Sequence, residues 1–159
     1  MLNIEEVHPQ PERAAEMPYA PAIEVTGARR TLYVSGATAS PLYHRHPHVK
    51  EEHELPDDIE EQTRRAMDSI RSVLEARGLG WRSVVKVTKY LTDIREMDAV
   101  NRTMNEYLGD HRPASTLLCV NNLSSPGARV ELDVIAVGPD ERAASHPGAN
   151  EPPGASRNG

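Results

Sequence analysis

Between positions 55 and 110 the apolar residues change period twice, from helix to strand and back to helix, and that order constrains the fold more than any single motif. "LPDDIEEQTRRAMDSIRSVLEARGLG" sets Ile59, Ala66, Ile70, Val73 and Leu74 on one stripe at helical spacing, with Asp57 or Asp58 as N-cap and Gly78 at the end. "SVVKVTKYLTD" then alternates Val85, Val87, Lys89 and Leu91 against Val84, Lys86, Thr88 and Tyr90, which is the period of a strand. Asp93 can cap a second helix, "IREMDAVNRTMNEYLGD", with Ile94, Met97, Val100, Met104 and Leu108 facing inward and Gly109 ending it. Upstream, "AIEVTG" and "TLYVSGATAS" predict a hairpin from about residue 23 to residue 39; downstream, "STLLCVNN" and "ARVELDVIAVG" predict two further strands. The string ββαβαββ excludes an alternating parallel fold. It predicts an α+β domain, an antiparallel or mixed sheet with two helices on one face.

The last strand tells what the other face does. Val130, Leu132, Val134 and Ala136 form a core side, whereas Arg129, Glu131, Asp133, Ile135 and Val137 form a side polar at one end and apolar at the other. In a chain without Phe, such a mixed face predicts a subunit interface with polar groups at its rim, and hence a homo-oligomer. The 159 residues suffice for one core. They divide into a weakly patterned arm over 1–16, a domain over 17–138 and a Pro-, Gly- and Ala-rich tail over 139–159 that is expected to be disordered. A net charge of -6 disfavours a nucleic-acid surface. No apolar run reaches the roughly 18 residues of a membrane span and no signal segment opens the chain, so no membrane partner and a cytoplasmic location are expected. The lone Cys119 cannot form an internal disulfide, and its apolar strand suggests a buried small hydrophobe.

Several residues have chemical potential but an ordinary structural alternative. Glu131 and Asp133 share a strand face about 7 Å apart, close enough to hold a water or substrate between them, or to be a solvated acidic face beside Arg129. Asn101 falls near the apolar stripe of its helix, where its amide needs partners; a boundary Asn bonded to backbone would also fit. Ser35 and Gly36 end a strand, where glycine admits a ligand close to the backbone or marks a bulge. "YHRHPHVKEEH" places His44, His46 and His48 at alternate positions. Pro47 interrupts that ladder and no matching His or Cys cluster exists elsewhere, so a solvated loop or a pocket rim is favoured over a metal site.

Taken together, "LYVSGATAS", the segment from "IEEQTRR" to "NEYL", "HRPAST" and "GARVELDVIAVG" resemble the Rid superfamily, the YjgF-type enamine/imine deaminases, over about residues 17–138. The resemblance implies a homotrimer of chorismate-mutase-like α+β subunits with three sites in the clefts between them. It also implies hydrolysis of reactive enamines or imines to carbonyl compounds and ammonia, with no cofactor and no metal. By position, Tyr19 in "MPYAP" matches the pocket tyrosine, Ser35 and Gly36 the strand-end pair, Asn101 the second-helix asparagine, and Glu131 the carboxylate that positions the attacking water.

Two departures qualify what is implied. Deaminating members resembling this chain carry an arginine after Pro-Ala that grips the substrate carboxylate; here Ser115 stands there, followed by Thr116. A hydroxyl brings no charge, so 2-imino acids should lose an anchor of about 2 to 4 kcal/mol. The second departure is a long stretch over 40–56, whose His44, His46 or His48 could reach the cleft rim as a replacement donor or acid, with Tyr43 closing an apolar wall. The same cleft could instead serve a non-hydrolytic tautomerase or condensing enzyme, or a metabolite-binding, chaperone-like trimer.

Overall fold

The computed structural model describes residues 1–45, 47 and 49–140, without the side chain of His53. Strands β1 (Asn3–Val7), β2 (Ala22–Thr26) and β3 (Arg30–Ala37) precede helix α1 (Ile59–Glu75) and strand β4 (Val84–Leu91). Helix α2 (Met97–Leu108) and strands β5 (Ala114–Cys119) and β6 (Val130–Gly138) follow, with short 3-10 turns between elements. The main sheet runs β3-β6-β4-β5; β4 and β5 are parallel and the other pairs antiparallel, so the sheet is mixed. Both helices lie on one face, α1 against β6 and β3, and α2 against α1.

The helix ends follow their caps. Asp58 accepts a hydrogen bond from the Glu60 N–H at 3.0 Å, and Gly78, with φ 63°, follows the last turn of α1. Asp93 accepts from the Arg95 N–H at 2.9 Å, but this cap opens a 3-10 turn over Ile94–Glu96 that leads into α2. Ile94 and Met97 are therefore exposed rather than inward, whereas Val100 and Met104 are buried as expected. Ile59, Ala66, Ile70 and Leu74 pack on Val130, Leu132, Val134 and Ala136, and each fully buried Leu or Ile contributes about 1.5–3 kcal/mol.

Three further expectations are corrected. The hairpin over 23–39 does not form: β2 pairs antiparallel with β1, a strand within the supposed arm, and β3 pairs with β6. Gly27, at φ 68°, permits this, because a Cβ there would stand 2.2 Å from the Met1 carbonyl oxygen. In β4 the pairs Val84–Ala136 and Lys86–Ile135 leave Val85 as one extra residue. The bulge puts Val84 beside Val87 in the core and removes Val85 from the face assigned to it. Cys119 is exposed rather than buried, since it ends β5 at the edge of the sheet. Residues 141–159 of the tail, and His46 and His48, lie outside the described residues.

Candidate active site

The β3–β6 ladder contains the feature that shapes the site. Val34 pairs with Val134 and Ala37 with Leu132, so β3 has one residue more than its partner, and Ser35 and Gly36 form the bulge. Glu131 extends from β6 into the space this opens: a Cβ on Gly36 would stand 1.9 Å from Glu131 Oε1. The bulge and close-approach readings of Gly36 are thus the same fact. Pro41, Leu42 and His44, from the loop after β3, complete a cavity of about 240 Å³ over Glu131 with Ser40, Ser69 and Ser125. The loop reaches it through Leu42 and His44, whereas Tyr43 is 89% exposed and closes no wall in the subunit.

Glu131 is half-buried, and among the described residues nothing donates a hydrogen bond to its carboxylate. Burial first, and the neighbouring charge of Asp133 second, raise it above the usual carboxylate range. Asp133 accepts from the Tyr90 hydroxyl at 3.1 Å. Arg129 does not neutralise either acid, because its guanidinium pairs with Glu96 at 3.0 Å and donates to the Asp57 carbonyl. Glu131 therefore has free lone pairs, partial dehydration and an elevated proton affinity, the properties of a carboxylate able to hold and deprotonate a water.

The other candidates assemble elsewhere. Tyr19, Asn101 and Ser115 line a cavity of about 460 Å³ together with Lys89, Met104 and Leu108. The parallel register aligns Val87 with Ser115 and Thr88 with Thr116, so Ser115 is on the helix side while Thr116 is on the open side, where it accepts from Lys86 Nζ. An isolated parallel bridge between Ala20 and Ala114 anchors Tyr19 beside β5. Asn101 is half-buried and its Oδ1 accepts from Lys89 Nζ at 2.8 Å, a side-chain partner rather than a backbone one. The predicted residues thus form two groups, Ser35, Gly36 and Glu131 on β3 and β6, and Tyr19, Asn101 and Ser115 on the helix face beside β5, with Thr116 on the open face apart from both.

Sequence reasoning overlooked Lys89 as a site residue and Gln62 as a support. Gln62 is buried; its Nε2 donates to the carbonyls of Pro56 and Gly127 at 2.8 and 3.1 Å, and its Oε1 accepts from the Arg129 N–H at 2.9 Å. It ties α1 to the entrance of β6, two residues before Glu131. Its position on the apolar stripe of α1 was the signal available. Among the described residues no three His, Cys, Asp or Glu side chains converge on a metal-sized space, and no helix is long and apolar enough to cross a membrane.

The chain is similar to known proteins. The family model described as Endoribonuclease L-PSP matches residues 10–138. The chain belongs to this family, the Rid/YjgF superfamily. It is 33% identical to Protein mmf2, mitochondrial, of Schizosaccharomyces pombe over 75% of this chain and 86% of that protein. It is also 33% identical to the 2-iminobutanoate/2-iminopropanoate deaminase of Capra hircus, over 78% of this chain and 82% of that protein. The crystal structure of RidA from the Antarctic bacterium Psychrobacter superposes with a TM-score of 0.58 at 26% identity, covering 75% of this chain and 87% of that one. These similarities establish an α+β Rid fold with a mixed sheet and two main helices.

Proposed function

We propose that this Rid protein hydrolyses a reactive enamine or imine to a carbonyl compound and ammonia. The observation that carries this reading is Glu131, seated against the Ser35–Gly36 bulge with a half-buried, elevated carboxylate that no described protein group occupies. Glu131 orients a water and takes its proton as the oxygen attacks the C=N carbon, giving a carbinolamine; the proton passes to nitrogen, and loss of the hydroxyl proton forms the C=O bond as the C–N bond breaks and ammonia leaves. A positioned base of this kind contributes a factor of about 100 to 10,000. The goat relative, named as an iminobutanoate and iminopropanoate deaminase, supports the reaction class. The net charge of -6 favours a small metabolite over an RNA backbone.

The cleft is completed between subunits of a homotrimer. Ser35 and Gly36 on the edge strand β3 meet Glu131 on its neighbour β6, and Tyr19, Asn101 and Ser115 stand beside the other edge strand, β5, on the opposite face. The two groups line separate cavities within one subunit, and the trimer of this proposal brings them together from two neighbouring copies. The open sheet face, with Tyr33 76% exposed and Leu118 42% exposed, supplies the apolar surface such packing buries. His44 stands at the rim of the Glu131 cavity as a donor or acid.

The test generates a 2-imino acid in situ with an amino-acid oxidase, traps what survives with semicarbazide, and measures ammonia. Wild type is expected to deplete the imine with stoichiometric ammonia, and Glu131→Gln to leave it intact. Consumption of the imine without ammonia would replace hydrolysis by a tautomerase or condensing reaction; survival of the imine with wild type would leave a binding role.

A further inference from the structure

The Tyr19 cavity holds a cation that the hydrolytic scheme leaves unused. Lys89 is on β4 between the buried Val87 and Leu91, on the side of the sheet that faces α2. Its Nζ spends one of three donors on Asn101 Oδ1. Several arginines find carboxylates, Arg13 with Glu16, Arg64 with Glu106, Arg71 with Asp68 and Arg129 with Glu96, whereas Lys86 on the open face donates to the Thr116 hydroxyl. Among the described residues no carboxylate forms an ion pair with Lys89. Asp98 lines the same cavity but does not pair with it, and the His111 ring is committed to the Val84 carbonyl at 2.7 Å.

A half-buried ammonium without a counter-ion is costly to hold unless something else completes its shell. Burial, and then the like charge of Lys86, depress Lys89 below the usual lysine value. The remaining polar groups at the cavity, on Tyr19, Asn105 and Ser115, are neutral. The register aligns Lys89 with Leu117 and Val87 with Ser115, so Lys89 and Ser115 are diagonal neighbours on one face. A ligand that satisfies such a wall has a small anionic head flanked by hydrogen-bonding oxygen atoms.

We infer that Lys89 is the anion anchor of this cavity, holding the carboxylate of a 2-imino or 2-oxo acid beside Ser115 and Tyr19. The positive charge absent at Ser115 is thus supplied from the adjacent strand, and carboxylate-bearing imines remain substrates of this chain. The role in turnover rests on the hydrolase reading; the binding role does not.

The test is titration calorimetry of the full chain with 2-oxobutanoate, a carboxylate of the product class, in wild type, Lys89→Gln and Lys89→Arg. Glutamine can still donate to Asn101 without the charge, which guards against loss of fold, and circular dichroism verifies it. Lys89→Gln is expected to weaken binding about 10- to 100-fold and Lys89→Arg to restore most of it. Wild type that does not bind, or Lys89→Gln that binds equally, overturns the anchor. Lys89-dependent binding while 2-imino acids survive retains the anchor and removes the hydrolase; Glu131-dependent hydrolysis unaffected by Lys89→Gln does the reverse.

Discussion

Glu131 Oε1 occupies the space that a side chain at Gly36 would need, 1.9 Å from the position of its Cβ. The bulge on β3 and the carboxylate on β6 are therefore one device: the extra residue opens the ladder, the missing side chain leaves room, and the acid fills it.

Gly36→Ala should fold and lose activity. Gly36 is exposed, so the methyl group costs little in the core, but the Glu131 side chain has to swing away from it. A displacement of about 1 Å in such a group lowers turnover by about 100-fold. Steady-state imine hydrolysis together with thermal melting would separate the two effects.

Glu131→Gln should raise the melting temperature at neutral pH. Because the folded-state carboxyl is raised above its unfolded value, its contribution to stability is complete below the unfolded value near 4.5 and is lost as pH rises through the folded value. The gain over wild type should appear above that window and vanish below it in melting curves taken across pH.

Asp133→Asn should move the acidic limb of the kcat/KM profile to lower pH. Asp133 is the second cause of the elevation of Glu131, after burial, and asparagine still accepts from Tyr90 while removing the charge. An unmoved limb in the pH profile would mean that another group titrates there.

Gln62→Leu should cost about 2 to 4 kcal/mol in denaturant unfolding, since it leaves the Pro56 and Gly127 carbonyls and the Arg129 N–H without their partner. As Arg129 immediately precedes β6, kcat should fall more than KM rises in the fraction that folds.

The elements of this fold were readable where one residue's neighbours along the chain decide its environment. The stripe Ile59, Ala66, Ile70 and Leu74 and the alternation of Val130, Leu132, Val134 and Ala136 are local periods, and both proved to be core. Strand partners were not readable, because β-branched residues favour a pleated surface without naming which edge it joins; β2 thus went to β1 instead of β3. The bulge at Val85 likewise depends on the partner strand's register, whereas Gly36 marked the bulge on β3 in the sequence itself. Cys119 was misjudged for the same reason: composition marks an apolar strand, but only its place at the sheet edge makes it exposed.

For the site, the sequence by itself determined which residue types are present: the acid at Glu131, the glycine at Gly36, the amide at Asn101 and the serine at Ser115 in place of a guanidinium. Only the tertiary structure decided which of them meet. Glu131 and Gly36 come from strands about 95 positions apart in the chain but adjacent in the sheet, whereas Ser115 and Thr116, adjacent in the chain, point to opposite faces. Lys89 read as an ordinary member of an alternating strand until α2 was laid over it. A side chain's chemistry is fixed by its covalent structure, but its partners, its hydration and hence its proton affinity are fixed by what the fold packs around it.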